Sequence, residues 1–204
     1  MAMILPVYGK DNKEVVNAYA RSLAEEMVGG ITEVPVQGEY FRAIIGPKGK
    51  VLLDLRDARL GEKINDFELS GYPVRIECGE RDLQSGKCVV ASRISGEKVV
   101  IERSELTATV DHMHTQGQGM LFEASSKRLK ENTVACETID DVGRAIEDGK
   151  FALYELDGDP QMEIDIKERF KATTRCIPFE GQFTDDLLKL KNPENVRVVI
   201  ARSF

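Results

Sequence analysis

LDLRDARLGEKINDFELSGYPVRIECGERDL, residues 53–83, is the most informative stretch of this 204-residue chain. It begins inside VLLDL (51–55), whose apolar run reads as a strand. EKINDFEL (62–69) suits a short helix, with Ile64, Phe67 and Leu69 inward and Lys63, Asp66 and Glu68 in water. Gly71-Tyr72-Pro73 punctuates, and PVRIECG (73–79) reads as the next strand. Strand, helix and strand in sequence indicate an α/β layer.

Working outward, the same alternation continues. MILPVY (3–8) is a short buried strand. Asp11 with Glu14 resembles a capping box, and Val15, Tyr19, Leu23 and Met27 recur every four residues until Gly29-Gly30 ends the helix. FRAII (41–45) and VLLDL are joined by Gly46-Pro47-Lys48-Gly49, a hairpin signal. ERDLQSG (80–86) reads as a turn-rich loop between the strands at 73–79 and KCVVASR (87–93), and KVVIE (98–102) is one more strand. Ser104 opens a long helix to about Asn132 with Leu106, Val110 and Met113 inward; Gly117 and Gly119 weaken its middle and allow a break. A second unit then holds a helix (138–148), the strand FALYEL (151–156), a turn at 157–160, a helix (162–170) and the strands TRCIPF (174–179) and VRVVIA (196–201). The boundary is expected near 130–136, giving domains 1–132 and 133–204.

Composition excludes several classes. Hydrophobic residues at 42% can build cores, and no apolar run reaches the roughly 18 residues that span a bilayer. The first residues lack a basic n-region, so a cytoplasmic location without a membrane is expected. Net charge is −7, which disfavours nucleic acid globally. The charge is uneven, though: 42–63 hold six basic against three acidic residues, and 131–165 hold eleven acidic against two basic. Either these are solvated faces or the first is a local binding patch. Cys78, Cys88, Cys136 and Cys176 are widely spaced with no CxxC, and are expected to be reduced structural thiols in strands.

Catalytic parts are missing. There is no P-loop, GxGxxG or GxSxG motif. His112 and His114 lie two apart on a helix, about 200° around it, and cannot share a metal or substrate. Asp157-Gly158-Asp159 lacks the remainder of a calcium loop and reads as a turn.

The 53–83 stretch resembles the anticodon-binding domain of prolyl-tRNA synthetases. The matching positions are Asp54, Arg56, Asp57, Gly61, Lys63, Glu68, Leu69, Gly71, Pro73, Arg75, Ile76, Glu77, Gly79, Arg81 and Asp82. Its strand–helix–strand is shared more loosely by threonyl-, histidyl- and glycyl-enzymes. LPVY followed by KDNKEVV resembles the first strand and helix of the prolyl family. ENT (131–133), FALYELDGD and ATTRCIPFEG (172–181) resemble the extra C-terminal domain of its archaeal and eukaryotic type. The resemblance implies an anticodon-binding domain with a mixed sheet flanked by helices, followed by a small α+β domain. It implies proline tRNA as partner, and a parent enzyme that uses ATP and Mg, with possible homodimerisation through that parent. The catalytic core would precede Met3, so this chain is expected to be inactive alone and to carry no catalytic residue or cofactor. The alternative is a free-standing regulatory or accessory relative without ligase activity.

Three departures from the family pattern stand out. Residues 34–50 look long, as if a hairpin were inserted beside the tRNA face. The loop before Gly61 lacks the usual Pro. The family's C-terminal domain commonly carries four zinc-binding cysteines, whereas Asp157 and Met162 stand at the first pair and 181–204 contain no Cys, so no zinc is expected. The family close usually ends in Tyr and hints at a C-terminal carboxylate reaching an active site; here it is Phe204.

The resemblance places the anticodon at residues suited to it. Proline anticodons end in two guanines, which offer acceptors at O6 and N7 and donors at N1 and N2. Such bases are read on those edges and by stacking. Arg56, Asp57, Arg59, Lys63 and Asp66 are the expected anticodon-binding set, with Arg56 and Lys63 favoured for guanine contacts; Lys48 and Lys50 are expected at phosphates. For Arg56 the competing role is a surface ion pair with Asp54 or Asp57.

Overall fold

A computed structural model describes residues 2–9, 11–30, 32–38, 40–179, 190–192 and 194–202. Phe204 lies outside them. The chain falls into two compact units divided between Phe122 and Glu123.

The first unit contains β1 (Ala2–Val7), α1 (Lys13–Val28), β2 (Thr32–Gln37), β3 (Phe41–Gly46), β4 (Gly49–Asp54), α2 (Leu60–Ser70), β5 (Val74–Gly79), α3 (Glu80–Ser85), β6 (Lys87–Ser92), β7 (Lys98–Glu102) and most of α4 (Leu106–Glu131). Its seven strands run in the order β2-β3-β4-β1-β5-β6-β7. The centre, β4-β1-β5, is parallel, and antiparallel ribbons extend it on both sides. The fold is thus a mixed α/β sheet flanked by helices.

Each face of the sheet buries a different helix. Against one face pack Tyr19, Ala20, Leu23, Ala24 and Met27 of α1 with Leu106, Val110 and Met113 of α4. The other face is smaller: Met3, Leu5, Ala43 and Leu52 meet Phe67 of α2. The α1 stripe starts at Val16, fully buried, while Val15 is 53% exposed, one position off the fourfold spacing. The expected box at Asp11 does not form either. Asn12 is the N-cap and its side chain does not cap; it instead accepts from the Gly9 N–H at 2.8 Å and donates to Glu80 at 2.7 Å.

Segment 34–50 is part of the main sheet. β2 and β3 complete an antiparallel edge on β4. The predicted loop at 80–86 contains the short helix α3, whose Asp82 carboxylate accepts from the Gly79 N–H at 2.7 Å. Gly117 and Gly119 do not interrupt α4; Gly117 is buried, and a Cβ there would press on Ile94.

The second unit contains β8 (Thr133–Ala135), α5 (Ile139–Glu147), β9 (Phe151–Leu156), α6 (Pro160–Phe170), β10 (Ala172–Cys176) and β11 (Val196–Arg202). Strand order is β10-β11-β9-β8, with only β8–β9 parallel. Thr138 and Asp141 form a reciprocal capping box on α5, and Asp159 caps α6 with Pro160 at its first turn. Val142, Ala145 and Ile146 of α5 and Ile166 of α6 close the core over Ala152, Val198 and Ile200.

Among the described residues, no helix is long and apolar enough to cross a membrane. Cys78, Cys88 and Cys136 are buried thiols. Cys136 lies between β8 and α5 rather than in a strand, and Cys176 is exposed at the end of β10.

Candidate nucleic-acid interface

In open α/β sheets the carboxyl ends of parallel strands, where the strand order reverses, form the usual crevice. Here that point is β1, which leads by α1 to β4 on one side and later meets β5 on the other. The loops emerging there are Tyr8–Asn12 after β1 and Leu55–Arg59 after β4. The second loop and the α2 helix that follows it carry all five residues of the expected anticodon set, each in a different posture.

Arg56 is a half-buried hub. Its Nε and Nη2 donate to the Asp54 carboxylate at 2.9 and 2.7 Å, and Nη2 also meets Asp66 at 2.7 Å. Asp54 is fully buried and accepts the Arg56 main-chain N–H too, at 3.1 Å. The guanidinium lies over the Phe41 ring, 4.8 Å from its centre. Hydrogen bonding to Asp54 holds the guanidinium above its ordinary pKa. The ion pair weighed from sequence therefore exists with Asp54, and a second carboxylate joins it. Among the described residues no hydrogen bond is made to Arg56 Nη1 or Asp66 Oδ1.

Lys63 corrects the sequence reading most. Expected in water and at a base, its side chain is completely buried. Nζ donates to the main-chain oxygens of Pro6 (3.0 Å) and Asp54 (3.1 Å) and to the Tyr8 hydroxyl (3.3 Å). Three N–H groups meet three acceptors, which leaves none for a base. Leu69, expected inward, is 79% exposed.

Asp57 and Arg59 are exposed. Asp57 pairs with Lys13 at 3.5 Å across solvent. Arg59 is the N-cap of α2, and no described residue pairs with its guanidinium. Lys48 and Lys50 are not in this cluster. They lie at the opposite end of β4, with Lys50 about 13 Å along the strand from Asp54.

Residues that sequence reasoning passed over complete the site. A cavity of about 400 Å³ is lined by Arg56, Asp66, Ser70 and Tyr72 together with Val36 and Phe41 from the β2–β3 edge. Its size is at the lower end of small-molecule pockets. Phe41 and Tyr72 supply aromatic faces; Tyr40-Phe41 beside Arg42 was the available signal. Tyr8 stitches the loops together by donating to the main-chain oxygens of Leu55 (3.0 Å) and Arg56. Burial pushes its hydroxyl up to about 12.

Residues 2–113 match the family model described as "Anticodon binding domain". The chain belongs to the anticodon-binding domain family. Residues 139–204 match a second family, "Prolyl-tRNA synthetase, C-terminal", so the two domains occur together as in prolyl-tRNA synthetases. Similar curated proteins include proline–tRNA ligases from archaea and bacteria. The Pyrococcus abyssi protein is 30% identical over 198 residues, covering 96% of this chain and 36% of that protein. The Chloroherpeton thalassium protein is 39% identical over 153 residues, 71% of this chain and 32% of its own length. The Deinococcus radiodurans protein is 38% identical over 150 residues, with 71% and 29% covered. The chain thus spans about a third of the length of these relatives.

The zinc of the C-terminal domain does not fit the residues present. Asp157 is spent on its own turn, accepting from the Asp159 N–H at 3.0 Å, and Met162 packs against the second core. Among the described residues no cluster of His, Cys, Asp and Glu is placed to hold a metal ion.

Proposed function

We propose that this chain grips the anticodon of proline tRNA on behalf of the catalytic core of a proline–tRNA ligase. The observation that carries this reading is the Arg56–Asp66 pair after the carboxyl end of β4, beside an aromatic-lined cavity that runs between α2 and the sheet toward Tyr72. The pair offers what a guanine edge lacks and needs. Arg56 Nη1 presents N–H donors for O6 or N7, and Asp66 Oδ1 presents an acceptor for N1–H and N2–H. Phe41 and Tyr72 provide ring faces for a base splayed out of its stack. Arg56 is already oriented by the buried Asp54, so little rotamer freedom remains to be lost on binding. Arg59 and Lys13, on the rim, suit phosphate oxygens.

The parent reaction would be ATP-dependent attachment of proline to its tRNA in the cytoplasm. ATP and Mg would be held by the catalytic core, which is the second partner, and homodimerisation would run through that parent enzyme. This chain contributes recognition and no bond-making step.

The test is filter binding of proline tRNA with its two anticodon guanines replaced one at a time by inosine and by adenine. Inosine removes only the 2-amino donor. At least one position should lose roughly tenfold with inosine, in line with about 1–3 kcal/mol for a bidentate base contact. Equal affinity for every variant, and for unrelated tRNAs, overturns the reading.

A further inference from the structure

Lys63 is a charged side chain where an apolar one would be cheaper. Burying an ammonium is costly unless its protons are accepted. Here all three are, and the acceptors come from separate pieces of chain: Pro6 in β1, Tyr8 just after it, and Asp54 at the end of β4. Lys63 itself belongs to the second turn of α2, one turn before Asp66. The Tyr8 ring lies 4.6 Å from Nζ, and the Tyr8 hydroxyl passes the connection on to the main-chain oxygens of Leu55 and Arg56. The segment 54–56 is therefore held from both sides. Lys63 takes the Asp54 main-chain oxygen, and Arg56 takes the Asp54 carboxylate.

We propose that Lys63 is a positioning residue for the anticodon surface: its buried ammonium ties the ends of β1 and β4 to α2 and so fixes Arg56 beside Asp66. This rests on the anticodon reading above and assigns Lys63 no contact with a base. The third N–H is what the geometry needs. A neutral amine has two, and one of the three acceptors then goes unserved.

The groups facing Lys63 define its response to pH. Asp54 and Asp57 of the 54–59 loop favour its charge, whereas Arg56 and Lys13 oppose it. Tyr8 is pushed up by burial to about 12, and burial drives the Cys78 thiol of β5 far above its ordinary range. Burial draws Lys63 down, to about 8. A complex that holds the ammonium charged must then bind a proton as well as tRNA above that pH. Affinity is constant below about 8 and falls toward tenfold per pH unit above it.

The experiment measures proline tRNA binding by the full chain from pH 6.5 to 9.5, with Lys63→Met and Arg56→Lys alongside. Wild type should show the alkaline loss. Lys63→Met should bind at least roughly tenfold more weakly at pH 7, by loss of hydrogen bonds to a charged group, show no step near pH 8, and discriminate less at every guanine that wild type reads. Wild-type affinity unchanged from pH 7 to 9 overturns the proposal whether or not the variant folds. So does Lys63→Met with wild-type affinity, or, where wild type reads both guanines, one that loses discrimination at only one of them, as a direct reader would. If wild type and Arg56→Lys bind all tRNAs alike, the anticodon reading itself has failed.

Discussion

Arg56 and Asp66 meet at 2.7 Å although one follows a strand and the other lies in a helix. Their pairing brings a donor fork and an acceptor to one side of a cavity. Neither residue is saturated by the other, because the fork is completed by Asp54 and Asp66 Oδ1 is left over.

Two conservative substitutions separate the roles of this pair. Asp66→Asn keeps shape and removes charge; affinity for proline tRNA should fall by about 1–2 kcal/mol, with a smaller inosine penalty at the guanine it reads. Arg56→Lys keeps charge and loses the planar fork, so the loss should be similar but carried by the O6/N7 edge. Filter binding with guanine, inosine and 7-deazaguanine at each position distinguishes them. Unchanged discrimination in both variants removes the pair from base reading.

Arg56→Ala should instead be a stability variant. It strands the fully buried Asp54 carboxylate, leaving it only the main-chain N–H of residue 56. Breaking a buried pair costs about 3–5 kcal/mol, and the partial exposure of Arg56 reduces this to about 2–3. Urea unfolding should show it, and the double variant Arg56→Ala, Asp54→Asn should recover part of the loss.

Much of this arrangement was legible in residue order, and the reasons for the rest are particular. Leu106, Val110 and Met113 were placed inward by helical period alone and are buried, and FALYEL is β9 as predicted. Polarity patterns misjudge a charged residue that faces inward, because they carry no knowledge of its acceptors; Lys63 needs Pro6, fifty-seven positions away. β2 carries Pro35 and runs into Gly38, both weak strand signals, yet an edge strand tolerates proline. Arg56, Asp57, Arg59, Lys63 and Asp66 cluster because they are close in sequence around one strand–helix corner. Phe41 joins them only through the pairing of β3 with β4, which no local pattern encodes.

Stability should be nearly level between about pH 8 and 9 and fall above it. Below about pH 8 Lys63 is charged in both folded and unfolded chains and contributes no slope. Between about 8 and its ordinary 10.5 the folded chain has released the proton and the unfolded chain keeps it, so its contribution to stability rises with pH. The thiols act the other way. Burial raises Cys88 and Cys136 to about 11 from an ordinary 9.0, and raises Cys78 further. From about pH 8 upward the unfolded chain increasingly loses thiol protons that the folded chain retains, which lowers stability. The one lysine proton and the three thiols offset each other, so the urea unfolding free energy under reducing conditions should change little from pH 8 to 9 and then decline. Lys63→Met lacks the offsetting lysine and should already lose about 1 kcal/mol from pH 8 to 9; a variant that stays level there assigns the offset to another group.

Salt dependence tests which cations meet phosphate. Arg59 stands in solvent at the start of α2, beside the cavity loops and paired with no described residue. Lys48 and Lys50 stand at the other end of β4. If the bound anticodon loop lies over Arg56, one phosphate falls within reach of Arg59 and none near the lysines. Arg59→Ala should then weaken binding to all tRNAs alike and lower the slope of log affinity against log salt by roughly 0.7, the release expected for one single-strand contact. Lys48→Ala and Lys50→Ala should leave that slope unchanged. The reverse pattern would move the RNA path to the hairpin side of the sheet and away from the Arg56–Asp66 cavity.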